Sequence, residues 1–115
     1  MFSTIINSGS TCSCALIKDG KIITANIGDS RSIIGTSRGE KIRVRALTRD
    51  HKPSDKSEAE RIISKGGVIA KGNGAGPYRI WRRKDKIPGL AVSRSLGDTV
   101  AAQLGVSSEP GKDKD

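Results

Sequence analysis

An α+β fold, with antiparallel strands first and a helix after them, is predicted for this 115-residue chain by three observations. Asp19-Gly20 stands between two apolar runs, and it is a strong two-residue hairpin signal because both central positions of a type I′ turn need positive φ. Residues 41–47 alternate strictly between charged and apolar side chains, the period of a half-buried strand. Downstream of Pro53, Ala59, Ile62 and Ile63 form a narrow apolar stripe that Gly66-Gly67 closes, as a short surface helix requires.

Taken in order, residues 14–18 read as a strand, the Asp19-Gly20 turn follows, and residues 21–27 return until Gly28 stops them. Residues 32–34 make another short strand and 35–40 a loop. In 41–47, Ile42, Val44 and Ala46 are expected to face a core while Lys41, Arg43 and Arg45 face water. The first 47 residues therefore read as an antiparallel meander, with the sheet proper over 9–47. The helix is placed at roughly 55–65, opened by an Asp55/Glu58 pair that resembles a capping box. Residues 68–70 read as a brief strand and 71–76 as a glycine-rich loop. Residues 87–92 lead into a buried strand, and 98–104 could make two helical turns before Gly105. That gives a helix-and-loop region over 53–88, a return strand and helix over 89–106, and a polar tail, 111–115, with no structural signal. One narrow helix cannot cover both faces of such a sheet, and paired edges stay open. The pattern calls for more chain than is present.

Composition narrows the partners. The chain carries 21 Lys and Arg against 12 Asp and Glu, a net charge of +9. Such a balance favours anionic partners, with a solvated basic surface as the plain alternative. No helix-turn-helix, zinc-finger or glycine-aromatic RNA signature accompanies the charge, so no specific nucleic acid is implied. Hydrophobic residues make up 34%, with one Phe, one Tyr and one Trp, which predicts a thin core. Cys12 and Cys14 would share one face of a strand. Their spacing fits neither a zinc knuckle nor a redox pair, so they read as buried free thiols. With no secretory signal and no apolar run of spanning length, no membrane is implied. An intracellular place, cytoplasmic or nuclear, is expected.

Two segments carry the chemistry: residues 25–31, Ala-Asn-Ile-Gly-Asp-Ser-Arg, and residues 88–98, Pro-Gly-Leu-Ala-Val-Ser-Arg-Ser-Leu-Gly-Asp. Each sets a Gly beside an Asp at the end of an apolar run, with an Arg close by, so that a strand stops abruptly and projects charge at a sheet edge. Between them lie Leu47-Thr48-Arg49-Asp50-His51-Lys52-Pro53, Glu60-Arg61-Ile62 with Gly66-Gly67, and Arg79-Ile80-Trp81. In this order they resemble the central part of the metal-dependent Ser/Thr protein phosphatases, the protein phosphatase type 2C or PPM family. The resemblance implies a four-layer α-β-β-α sandwich, here partial and over residues 1–110. It implies a Mn²⁺ or Mg²⁺ pair that activates a water, and phosphoserine or phosphothreonine proteins as substrates. That family's primary metal site uses an upstream Asp-Gly-His-Gly segment and downstream Asp-Gly and Asp-Asn segments, which are absent here. The expectation is a central fragment, inactive alone. The alternative is a non-catalytic phosphatase-like module that binds phosphoprotein or other anions.

Among single residues, the resemblance places Asp29 at an accessory metal position, and the plain alternative is a turn Asp paired with Arg31. No catalytic residue is assigned. Arg94 could present its fork to a phosphate, or pair with Asp98 or another buried carboxylate. Arg82 and Arg83 fall in the region that would contact substrate, where a solvated loop is the commoner explanation. His51 reads as a turn residue and Trp81 as an anchor. Residues 72–76 lack the Lys-Ser/Thr and following helix of a phosphate-binding loop.

Overall fold

The structure, a computed structural model, describes residues 7–113. Its elements are β1 (Gly9–Ser10), β2 (Cys12–Lys18), β3 (Lys21–Ile27), β4 (Ile33–Arg38), β5 (Lys41–Ala46), α1 (Lys56–Ser64) and β6 (Val68–Lys71), followed by β7 (Tyr78–Trp81), β8 (Pro88–Leu90), β9 (Leu96–Gly97), α2 (Thr99–Ala102) and β10 (Gly111–Asp113). The architecture is thus mostly strands with few helices. The strands form small antiparallel sheets, β1-β9, β10-β3-β2, β4-β5 and β6-β7-β8. Among the described residues no helix is long and apolar enough to cross a membrane.

The hairpin at Asp19-Gly20 forms as the turn chemistry dictates. Both residues have positive φ, 50° and 71°, and Lys18 pairs with Lys21 to close the ladder. The second hairpin also forms, but the two do not join into one meander. β3 takes β10 as its other neighbour, with Gly111 opposite Asn26 and Asp113 opposite Thr24. Residues 111–113 are therefore a strand, where the sequence predicted a polar tail. The second hairpin is attached instead by side chains: the Thr24 hydroxyl donates to Leu47 O at 3.0 Å and Asn26 Nδ2 to Arg49 O at 3.0 Å. Attachment through one face leaves the backbone edge of β3 open to β10.

The core lies elsewhere than predicted. Ile62, Ile80, Ala101, Leu104 and Val106 are buried together, with Ile69 and Leu90 packed against them. It is therefore built by α1, α2 with the segment that follows it to Val106, and the β6-β7-β8 sheet. Gly105 lets α1 close on this cluster, because a Cβ there would stand 3.0 Å from both Arg61 O and Ile62 Cα and its φ is +91°. Ile62 is fully buried, whereas Ile63, predicted to share its stripe, is 61% exposed. Ile42 and Val44 alternate as predicted but are 73% and 64% exposed, so the apolar face of β5 covers nothing within the described residues. Periodicity separates two faces without saying which one is covered.

Two local readings also change. Asp55 occupies the cap position of α1 in an extended conformation without capping through its side chain, and its carboxylate pairs with Arg49 at 3.1 Å. Glu58 turns inward, so no capping box forms. Cys12 and Cys14 are free thiols but not buried ones: Cys14 is exposed and Cys12 half-buried, with their sulfurs 3.3 Å apart.

Candidate functional site

The site grows from the end of β3. Asn26, buried in the strand, spends Nδ2 on Gly28 O as well as on Arg49 O. Gly28 has φ of +97°, and a Cβ there would collide with the Thr11 side chain. Its N–H donates to His51 Nδ1 at 3.1 Å, and the His51 N–H donates back to Gly28 O at 2.9 Å. Two reciprocal hydrogen bonds thus clamp the residue before Asp29 and fix where the strand stops. Asp29 itself is exposed, and its carboxylate takes no hydrogen bond or ion pair among the described residues. Arg31, its expected partner, instead forks onto Asp50 with bonds of 2.8 and 2.7 Å. That bidentate bond holds the Asp50 carboxyl below the usual range despite partial burial.

Behind the clamp lies a charged cluster centred on Glu58, a side chain 3% exposed. Arg94 donates Nε to Oε1 at 2.8 Å and Nη2 to Oε2 at 3.2 Å. Arg61 donates Nη1 to Oε2 at 2.5 Å, and the Ser93 hydroxyl donates to Oε1 at 2.9 Å. Burial alone would raise the Glu58 pKa; the bonds from Arg94, Arg61 and Ser93 outweigh it and bring it down to about 2. The remaining donors reach backbone, Arg61 to Gly105 O and Ser93 O, and Arg94 to Glu109 O. Glu58 therefore ties α1 to the segment around Ser93 and to the approach to β10. Arg94 keeps its fork for this carboxylate and makes no pair with Asp98. Asp98 instead accepts from the Ser95 hydroxyl at 2.5 Å.

His51 joins the two parts. It is 6% exposed, its carbonyl accepts from Ser93 N at 3.1 Å, and Gly111 packs on Nε2, where a Cβ would stand 2.7 Å away. Burial and the nearby Arg94 charge push its pKa down, which keeps it neutral as the Gly28 bond requires. It is a buried hub and not the turn residue predicted. A polar cavity of about 180 Å³ opens beside it, lined by Arg49, Asp55, Ser57, Glu58 and Arg94 as well.

The other predicted residues lie apart. Arg82 forks onto Asp85, at 3.0 and 2.7 Å. Arg83 is exposed and makes no ion pair among the described residues. Trp81 anchors the sheet, donating Nε1 to Ala70 O at 3.0 Å, and borders a cavity of about 570 Å³ that reaches Val68 and Lys86. Hard divalent cations need several oxygen ligands at one point. Among the described residues no group of three or more His, Cys, Asp or Glu side chains could hold an ion. Asp29 offers one carboxylate, so the residues here do not by themselves fit a metal pair.

Glu58 and His51 were both missed as site residues. A usable signal existed for Glu58, since it stands four residues before Ile62 and three before Arg61, on the stripe that enters the core. His51 carried none, because its contacts with Gly28, Ser93 and Gly111 are all distant in sequence.

The family model "Protein phosphatase 2C" matches residues 2–112. The chain is 41% identical over 105 residues to "Probable protein phosphatase 2C 61" of Arabidopsis thaliana, covering 90% of this chain and 32% of that protein. It is also 41% identical over 105 residues to "Probable protein phosphatase 2C 12" of Oryza sativa subsp. japonica, covering 90% and 27%. Among solved structures, a serine-threonine phosphatase 2C from Toxoplasma gondii superimposes with a TM-score of 0.79 at 26% identity, covering 91% of this chain and 36% of that one. A C. elegans sex determining protein does so with 0.70 at 32% identity, covering 91% and 23%. The chain spans about a third of the length of the curated relatives it matches.

Proposed function

Because the chain belongs to the protein phosphatase 2C family, we propose that the protein of which it forms part removes phosphate from phosphoserine and phosphothreonine proteins, and that residues 9–106 are the middle of a four-layer α-β-β-α sandwich. The observation that carries this reading is the Gly28–His51 clamp, which holds Asp29 at the end of β3 as an exposed carboxylate without a partner among the described residues. Asp29 would contribute to an accessory Mn²⁺ or Mg²⁺ site, and the main ligands would lie outside this chain. When bound, the metals supply an activated water at neutral pH. The groups of this chain do the holding: Glu58, Arg61 and Arg94 lock α1 to the Ser93 segment, and His51 fixes the Gly28 turn. Arg94 is thereby a positioning residue. Of the three arginines read as substrate contacts, Arg83 is the exposed one with no ion pair among the described residues, and it would be the one to meet a phosphopeptide. Phosphoprotein substrates fit an intracellular place, cytoplasmic or nuclear.

Hydrolysis of a phosphothreonine peptide with Mn²⁺, and again with EDTA, tests the reading. The isolated 115-residue chain is expected to release no phosphate above background, whereas the whole protein turns over and stops with EDTA. EDTA-sensitive turnover by the isolated chain would overturn this division of ligands. A whole protein inert in Mn²⁺ would overturn the phosphatase reading.

A further inference from the structure

His51, the single histidine of the chain, carries a donor that the clamp does not use. Gly28 N–H donates to Nδ1, so the proton of the neutral ring sits on Nε2. That N–H has no hydrogen-bond partner among the described residues, although the side chain is buried. It is not sealed in: among those residues, Asn26 Oδ1 is the one fully enclosed polar side-chain atom without a bond. Nε2 therefore opens onto the polar cavity of about 180 Å³ that His51 lines with Gly111, the residue packed on that nitrogen. The other lining groups are also short of acceptors. Arg94 has spent three of its five N–H donors, on Glu58 and on Glu109 O. The Ser57 hydroxyl makes no hydrogen bond among the described residues. Asp55 gives its carboxylate to Arg49, so no side chain of its own caps the first turn of α1, where Ser57 and Glu58 line the cavity.

We propose that this cavity is a binding site for a small tetrahedral oxyanion, of which free inorganic phosphate is the type. Donors converge on it from His51, Ser57, Arg94 and the start of α1, while the Glu58 carboxylate is already taken up by Arg61, Arg94 and Ser93. A water brings two donors into a place that lacks acceptors; an oxyanion brings acceptors alone. The two lining arginines and two lining carboxylates pair off, and Arg61 on Glu58 together with the positive end of α1 tips the balance toward an anion. The space exceeds several-fold the ~30 Å³ share of one water, which leaves room for a phosphate. The walls come from this chain alone. The Glu58 bonds hold α1 to Arg94, and the pairing of Gly111 with Asn26 brings the last wall against His51. A bound ion bridges α1 and His51, and so stabilises the folded chain by mass action. The site requires only these groups and is independent of whether the protein hydrolyses phosphoesters.

Because there is one imidazole, its Nε2–H can be followed directly in long-range ¹H–¹⁵N spectra while inorganic phosphate is titrated at neutral pH and constant ionic strength. The 115-residue chain and the whole protein are both measured. A saturable shift of the Nε2 signal is expected in both, and none with chloride. Ser57→Asp sets a carboxylate in the cavity at a helix position that favours one, and weakens phosphate about tenfold. Ser37→Asp, the same change of charge in β4, alters the affinity by less than about twofold. Ser57→Ala weakens it about threefold, and this milder variant decides the matter if Ser57→Asp fails to keep the parent circular dichroism spectrum. No shift with phosphate, or the same shift with chloride, would leave the cavity to water and overturn the proposal. A shift in the 115-residue chain that is missing from the whole protein would mean that the rest of the same protein fills the cavity, and would overturn it too. So would equal losses in Ser57→Asp and Ser37→Asp, which reduce the effect to net charge. Binding of a phosphothreonine peptide as tight as that of phosphate would overturn the assignment to the free ion.

Discussion

Replacing Glu58 by Gln keeps the shape of the side chain but leaves Arg61 and Arg94 around a neutral amide. The cost can be worked in two ways. A carboxyl whose pKa falls from 4.5 to about 2 on folding contributes about 3 kcal/mol of stability at neutral pH. Breaking a buried ion pair by removing one partner costs about 3–5 kcal/mol, because the other charge is left uncompensated. The two routes agree. The sign fixes the pH window: a depressed carboxyl pKa gives stability that is complete above pH 4.5 and is lost as pH falls toward 2. Urea unfolding of the 115-residue chain, followed by fluorescence of Trp81, its single tryptophan, measures the difference. E58Q is expected to lose about 3 kcal/mol at pH 7, or to show no folded baseline there, and to converge on the parent near pH 2. A gap below about 1 kcal/mol at pH 7 would refute the reasoning, as would one that stays constant down to pH 2.

Adjacent isoleucines of α1 should separate sharply. Ile62→Ala, in the core, costs about 2–5 kcal/mol by urea unfolding, whereas Ile63→Ala, largely exposed, stays within about 0.5 kcal/mol. His51, with its pKa depressed below 6.5, contributes stability above pH 6.5 that is lost as pH falls. Its contribution thus fails before that of Glu58. His51→Asn should flatten the decline that sets in below pH 6.5 in a thermal-melting series while leaving the fall below 4.5 in place.

Local chemistry was legible wherever a single segment determines the outcome. The Asp19-Gly20 hairpin and the strand character of 41–46 follow from positive φ and from alternation, both local properties. What failed needed knowledge of partners. The apolar residues of β5 were read as inward because the core was assumed to lie against the first hairpins, yet it lies against β6-β7-β8. Ile63 was read as buried because the stripe was drawn through Ala59, whereas burial runs through Glu58 and Ile62. β10 was invisible, since a short polar segment becomes a strand only when β3 offers it an edge. In the site, Gly28-Asp29 announced an abrupt strand end correctly. The clamp that makes it rigid depends on His51, 23 residues away.

The central claim is that this chain presents Asp29 to a metal and holds it there by a clamp independent of Asp29 itself. The most direct measurement is the Mn²⁺ dependence of phosphopeptide hydrolysis by the whole protein and by its Asp29→Ala variant, with a melting curve of each. The account predicts that the variant melts with the parent, since the Asp29 side chain has no partner among the described residues, yet needs more Mn²⁺ or turns over more slowly at saturation. A variant with unchanged Mn²⁺ dependence and turnover would contradict it, and so would one that loses activity only because it unfolds.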